Sequence, residues 1–409
     1  MDNMSLVKKL PPMLSGSALE QALSILPEYD PDIVKENEAM RLIALSDMYK
    51  VFVPNQMSKE IYSKLYLALL RSMQKKESKL VVQQYMENYK AVKQQEYSGI
   101  IGGSDSFTII GCSGIGKSSS ISRAIQLITQ DKIIEIKNPH AKIIPCVLVQ
   151  CPFDSSVKGL LFEILRVVDE KLGSKYYTNA LRARATTDML IGSVSQVCLN
   201  HIGLLVVDEI QHVVNHKNGK SLVGCLTQLI NNAGISICMV GTPECTVFFT
   251  QAMQLARRSL GLYYGVMEYG EEFQHLCEIL YRFQYVKNRT ELDTAAVRWL
   301  YEHSGGNIST VVSLLHDAQE IAILEGSEIL NLDTLHAAYQ KRMTLLHSYI
   351  APTRKPQTST QKPKLLSLPD DCEIDDDISI TALILQAKNE CRNVAAFLKS
   401  YITVEEVRI

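Results

Sequence analysis

The residues best suited to chemistry sit in one short run. Gly111-Cys112-Ser113-Gly114-Ile115-Gly116-Lys117-Ser118 fits the spacing G-x-x-x-x-G-K-[ST] in full. This is the spacing of a loop that wraps phosphate. Glycines let backbone N–H groups approach phosphate oxygens, the lysine reaches the β and γ oxygens, and the serine hydroxyl can hold Mg2+. Ser119, the next residue, is expected to bind nucleotide together with residues 111–118. A second constellation is LLVVDE, in which an apolar run delivers Asp208 and Glu209 at its carboxyl end, the place where ligands sit in open α/β sheets. Asp208 is suited to the Mg2+ shell, and Glu209 to orienting or deprotonating an attacking water. A third apolar run, ICMVGTPE, ends in Thr242. Its hydroxyl can sense a γ-phosphate or position the water; it is also an ordinary turn residue before Pro243. The chemistry all this suggests is binding and hydrolysis of a nucleoside triphosphate with Mg2+.

The elements that must position these groups follow from pattern. FTIIG (107–111), AKIIPCVLVQC (141–151), IGLLVVDEI (202–210) and ISICMVGTPE (235–244) read as strands. A helix runs from the phosphate loop to about Ile128, and others lie at 156–172 and about 186–200. Strands alternating with helices predict a parallel sheet covered on both faces. Glycine-rich SGIIGGSDS before the first strand reads as a turn. The first 30 residues, with Pro11, Pro12 and Pro27, read as a partly ordered arm; 37–95 is helical, with a stripe at Ile61, Leu65, Ala68, Leu69 and Met73 and Ser58 as its N-cap. From Phe273 to about Leu346 the pattern is entirely helical, broken at Ser304-Gly305-Gly306 and near Gly326. A Pro-, Lys-, Ser- and Thr-rich linker, an acidic run from Asp370 to Asp377 and a short amphipathic helix close the chain. The expected organisation is a helical N-terminal region (1–97), an α/β nucleotide-binding core (98–272), a helical lid (273–350), linker and acidic run (351–378) and a C-terminal interaction helix (379–409).

Composition narrows the function classes. A net charge of −2 over 409 residues excludes an overall polycation, so any nucleic-acid surface must be local. The ten cysteines are scattered singly, with no CxxC pair or Cys/His cluster, and read as buried thiols of a reducing cytoplasm. No apolar run approaches the ~20 residues of a membrane span, and no signal-peptide segment opens the chain.

A phosphate loop, DE after an apolar strand, a strand ending in Gly-Thr, the paired arginines Arg257 and Arg258, and an all-helical lid together resemble an AAA+ P-loop NTPase. More narrowly, VQCPFDSSVKGLLFEILRVVDEKLGSKY (149–176), HIGLLVVDEIQHV (201–213) and VGTPECTVFF…ARRSLG (240–261) resemble the TnsC/TniB-type ATP-dependent regulators of DNA transposition, over about residues 95–345. The resemblance implies ATP-dependent polymerisation on duplex DNA as a ring or filament of this chain, linking a target-selection factor to transposase subunits, with hydrolysis clearing the assembly. Lys117, Ser118, Asp208, Glu209, Thr242 and the Arg257/Arg258 pair would take the family roles. The paired arginines then have two readings: they favour the negative end of their own helix, or one is a finger for the nucleotide of an adjacent subunit. One departure stands out. Many AAA+ lids carry an arginine just after a Gly-Asn turn; here the turn is SGGNIST, with Ile308, Ser309 and Thr310 at that place.

Residues 131–184 hold nine Lys/Arg against six Asp/Glu, a slight excess that by itself reads as a solvated helix face. The resemblance raises a second reading, in which Lys158, Lys175 and Thr178 hold DNA phosphates without reading bases. Tyr176 and Tyr177 either stack or pack. The tail reads as a partner-binding element, with transposase its natural partner, or as a helix docked on its own body. Two other functions fit the motifs: a replication initiator or loader of AAA+ type, and a signalling NTPase switch. The expected location is the bacterial cytoplasm, associated with the nucleoid.

Overall fold

The computed structural model describes residues 6–77, 106–137, 140–213, 219–233, 235–246 and 261–344. The chain divides into a unit at Met1–Arg354 and a second at Lys355–Ile409. The second, with the expected linker, acidic run and interaction helix, lies outside the described residues, as do the glycine-rich turn at 98–105, the boundaries at 97, 350 and 378, and Arg257 and Arg258.

A six-stranded sheet forms the centre, in the order β2-β3-β4-β5-β1-β6. β1 (Phe107–Gly111), β4 (Ile202–Asp208) and β5 (Ser236–Gly241) are buried at every position, as expected of strands covered on both faces. β3 (His140–Gln150) pairs parallel to β4, β4 to β5, β5 to β1, and β1 to the short β6 (Leu262–Tyr264). The expectation of a parallel sheet needs one correction. β2 (Ile134–Lys137) pairs antiparallel to β3, Ile134 opposite Ile143 and Lys137 opposite His140. Four residues with alternating charge carry too little pattern to announce an edge strand, and β6 is shorter still.

Helices cover both faces. On one, α5 (Val157–Leu172), α7 (Thr187–His201) and α8 (Gly219–Ala233) pack Leu160, Ile164, Leu190, Val194, Leu226 and their neighbours against β3, β4 and β5. On the other, α4 (Lys117–Thr129) lies beside α3 (Gln56–Glu77). The α3 stripe of Ile61, Leu65, Ala68, Leu69 and Met73 is buried against the sheet. Its approach is close enough that a Cβ on Gly203 of β4 would stand 2.6 Å from Leu69 and 2.7 Å from Met73. The cap of α3 is corrected by the structure. Asn55 caps the helix, accepting from Ser58 N, and the Ser58 hydroxyl accepts from Asn55 N. Ser58 is thus the reciprocal partner three residues in, as in a capping box.

The opening residues are more ordered than an arm. Leu6, Leu10, Leu19 and Leu23 join the α3–sheet cluster, the last two from α1 (Gly16–Leu23). Tyr29, Ile33, Leu45 and Met48 join a different cluster, that of the lid. The lid comprises α9 (Glu271–Tyr281), α10 (Thr294–Ser304), α11 (Ile308–Leu324) and α12 (Leu332–Arg342). Residues 6–77 therefore run under the sheet and over the lid, and α2 (Glu38–Leu45) is fastened there by a buried ion pair. Arg41 meets Glu328 through two nitrogens, each at 2.6 Å, and also donates to the Tyr285 carbonyl. Among the described residues the cysteines are free thiols, buried except for Cys112; burial pushes Cys146 up to about 12. No described helix is long and apolar enough to cross a membrane.

Arg41→Ala should cost about 1–3 kcal/mol, because it removes both charge-assisted hydrogen bonds to Glu328 and leaves that carboxylate only the Lys287 ammonium at 3.6 Å and the Lys287 backbone N–H at 3.2 Å. Denaturant unfolding measures this, and a loss below about 0.5 kcal/mol would show the pair to be idle. The hydrogen bonds from Arg41 hold the Glu328 carboxyl below its ordinary range. Its folded value thus lies below its unfolded value, so the pair's contribution is present above the unfolded value and fades as pH falls through the folded one.

Candidate nucleotide site

The site forms where β1, β4 and β5 end side by side. β1 runs into the loop 112–116, and α4 begins at Lys117 with Gly116 as its cap in the left-handed region, φ 91°. The Lys117 ammonium is buried and donates to the carbonyls of Gly111 at 2.6 Å and Cys112 at 2.7 Å. Burial lowers its pKa, with Asp208 opposing that shift. The lysine is therefore a desolvated cation folded onto its own loop, placed to exchange those carbonyls for phosphate oxygens.

The Ser118 hydroxyl donates to Asp208 Oδ2 at 2.8 Å. Asp208 Oδ1 accepts from the Glu209 backbone N–H, also at 2.8 Å, which orients the carboxylate. Two hard oxygens so close, one from each side of the cleft, fit Mg2+, which takes one or two protein oxygens and fills its octahedron with water and phosphate. Glu209 stands one residue beyond the strand in the left-handed region, φ 59°, a conformation that non-glycine residues hold only when neighbours impose it. Its carboxylate oxygen Oε2 accepts from the Gln211 side-chain amide. Gln211 Oε1 is buried with no hydrogen-bond partner. Thr242 follows β5, and its hydrogen bond to Glu244 holds that carboxyl below its ordinary range.

A cavity of about 370 Å³ joins these groups, bounded by Ser113 to Ser120, Asp208, Glu209 and Thr242. Its far wall is apolar, made by Val51 and Phe52 from the N-terminal region and by Leu276, Leu280 and Val312 from the lid. The structure thus brings together the phosphate loop, Asp208, Glu209 and Thr242. Three contributors were not legible beforehand: the wall at 49–57, Gln211, and Asn307 of the lid turn. Gln211 and Asn307 each stood inside a run already singled out, DEIQ and SGGNIST, but nothing in the spacing assigned them a contact.

Asn307 touches the phosphate loop directly. Its amide Nδ2 donates to the Ser113 carbonyl at 2.8 Å, and the Ser309 backbone N–H donates to the Gly114 carbonyl at 2.9 Å. The place where many lids carry an arginine is here held by Ile308, Ser309 and Thr310, as expected, and a backbone contact runs from it instead.

The residues expected at DNA do not converge. Lys158 is exposed in the first turn of α5, its ammonium 5.8 Å from the Phe162 ring. Lys175 lies beyond the last turn of that helix, at the start of α6 (Tyr176–Arg182), with about 20 Å of helix between it and Lys158. Thr178 is exposed beside Lys175, its hydroxyl donating to the Lys175 carbonyl. Of the two tyrosines, Tyr177 packs edge-on against Phe162, and Tyr176 is exposed with its hydroxyl 3.0 Å from His201 Nε2.

Residues 101–248 match the family model of an AAA domain. With the sheet order, the loop and the helical lid, the fold is that of an α/β P-loop NTPase with added helical regions. No curated protein matches the chain. Solved structures similar to it include the Aeropyrum pernix ORC1 protein in complex with DNA, at 15% identity and a TM-score of 0.40, covering 61% of this chain and 61% of that one. Drosophila ORC bound to DNA is similar at 13% identity and a TM-score of 0.47, covering 97% of this chain and 85% of that one. The Aeropyrum pernix ORC2 protein in ADPNP–ADP complexes is similar at 14% and 0.42, covering 76% and 72%. The chain thus spans about three fifths of the first of these.

Asp208→Asn keeps the acceptor for Glu209 N–H but removes the charge facing Ser118. Titration calorimetry should show ATP affinity that no longer rises when Mg2+ is added, with the thermal midpoint near that of wild type. A Mg2+-dependent gain as large as wild type would overturn the metal role.

Proposed function

We propose that this chain binds and hydrolyses ATP with Mg2+, and that its nucleotide state sets its assembly on duplex DNA. The observation that carries the ATP reading is the contact between Ser118 and Asp208, with Glu209 beside it, at the mouth of the phosphate loop. Mg2+, when bound, supplies charge neutralisation on the phosphate oxygens. The chain's own groups do the rest. Backbone N–H groups of 113–118 and the desolvated Lys117 bind the β and γ oxygens. Glu209 accepts a proton from, or orients, the water that attacks, and Thr242 positions it. The apolar wall of Val51, Phe52, Leu276 and Leu280 excludes water from the far side of the cavity and suits a flat base.

What the ATPase serves has two readings. In the first it is a regulator of DNA transposition that couples target selection to transposase recruitment, with Lys158, Lys175 and Thr178 tracking the backbone and Arg257 or Arg258 completing the neighbour's site. The residues quoted from 149–176, 201–213 and 240–261 support it. In the second it is a replication initiator or loader. The readings share the nucleotide site and differ in the DNA: a backbone-tracking filament forms on any duplex, whereas an initiator prefers particular sites.

Lys117→Ala should abolish ATP binding, and Glu209→Gln should keep binding while trapping the ATP state on DNA. Electron microscopy with ATP and duplex DNA reads both: rings or spirals for wild type, more persistent ones for Glu209→Gln, none for Lys117→Ala. Assemblies of Glu209→Gln that decay as fast as wild type would remove the hydrolytic role. DNA affinity should fall steeply with salt and vary little with sequence; a tight, salt-insensitive preference for one site would favour the initiator.

A further inference from the structure

The lid meets the phosphate loop at one turn, and the contact is built from both sides. Asn307 is the N-cap of α11: its Oδ1 accepts from Thr310 N at 3.3 Å, satisfying one of the donors a helix start leaves open. The same side chain then uses its other end, Nδ2, on the Ser113 carbonyl at 2.8 Å. A second open donor of the helix start, Ser309 N–H, is taken by the Gly114 carbonyl at 2.9 Å. Two consecutive carbonyls of the phosphate loop are therefore held by the lid.

Gly114 gives independent support. The phosphate-loop motif leaves that position free, yet the residue is glycine, at φ 80°. A Cβ there would stand 2.5 Å from Asn307 Oδ1 and 2.8 Å from Nδ2, so the Asn307 amide occupies the space a side chain would take. Behind the turn, the Gly306 carbonyl accepts from Met267 N–H at 3.0 Å, and a Cβ on Gly306 would come within 2.0 Å of the Met267 carbonyl oxygen. The turn is thus seated between the loop and the segment that joins core to lid.

A trans peptide points its C=O and N–H in opposite directions. Holding the carbonyls of Ser113 and Gly114 toward the lid turns the N–H groups of Gly114 and Ile115 away from it, and a carbonyl that accepts a hydrogen bond leaves its own N–H a stronger donor. We infer that Asn307 is a positioning residue that orients the loop N–H groups for phosphate and couples lid position to nucleotide occupancy, in place of an arginine directed at the phosphate itself. This rests on the reading of the loop as a nucleotide site.

Two variants keep the cap oxygen and remove the amide donor: Asn307→Ser, and Asn307→Asp, which also sets a carboxylate against the Ser113 carbonyl. Both should fold with a thermal midpoint close to that of wild type. In the nucleotide-free protein, hydrogen exchange at the Ser309 amide should quicken by about tenfold or more in Asn307→Asp, because its acceptor is displaced. ATP with Mg2+ should bind about tenfold more weakly to both variants. In wild type, ATP should protect 113–118 and 307–312 together; in the variants only 113–118 should respond. Wild-type affinity and joint protection in both variants would overturn the inference, as would Ser309 exchange that does not change. If wild type itself failed to bind ATP, the nucleotide reading would fall and the sensing role with it, whereas the Ser309 exchange in nucleotide-free protein would still report the contact alone.

Discussion

Everything in the site depends on three parallel strands ending at one level. β1 and β4 are not neighbours; β5 lies between them. Ser118 and Asp208 nevertheless meet at 2.8 Å, across the end of the intervening strand. That requires the register seen here, Ile110 opposite Gly241 and Val207 opposite Met239. It also requires β5 to end without a side chain. A Cβ on Gly241 would stand 2.7 Å from Ile210 and 2.8 Å from Cys245, just below the acidic pair. A one-residue slip in any of the three strands would turn every side chain of that strand to the opposite face of the sheet and separate the hydroxyl from the carboxylate.

The walls of the cavity come from further away. Residues 49–57 reach the loop because α3 is seated on the sheet while the segment before it is seated on the lid. The Arg41–Glu328 pair and the Tyr29 ring, edge-on to Phe283 and Tyr285, hold that second seat. The N-terminal region thus spans the two bodies whose relative position defines the nucleotide cavity. The lid closes the arrangement through its own turn, where the start of α11 rests on the loop carbonyls.

Much of the core was legible because its signals are local. The phosphate loop is a contiguous motif, the buried strands are unbroken apolar runs, and the α3 stripe repeats at helical spacing, so each could be read within a window of about a dozen residues. The misreadings have separate causes. β2 and β6 are too short to carry a period, and Ser58 resembled a cap because capping residues and their partners have the same chemistry. The opening prolines suggested an arm, yet Leu6, Leu10, Leu19 and Leu23 are buried by elements far along the chain. Burial of this kind has no local signature.

By itself the sequence determined the glycine-lysine-serine spacing of the loop, the acidic pair after an apolar strand and the alternation of strands and helices, because these follow from residue type and spacing over short stretches. Tertiary structure decided which strands lie side by side, that Gln211 holds Glu209, that the wall of the cavity comes from residues 49–57, and that Asn307 rests on Ser113 from 194 positions away. Such contacts join segments with no common period or motif. Their energies are realised only once the sheet and lid have packed, so no stretch of sequence read alone contains them.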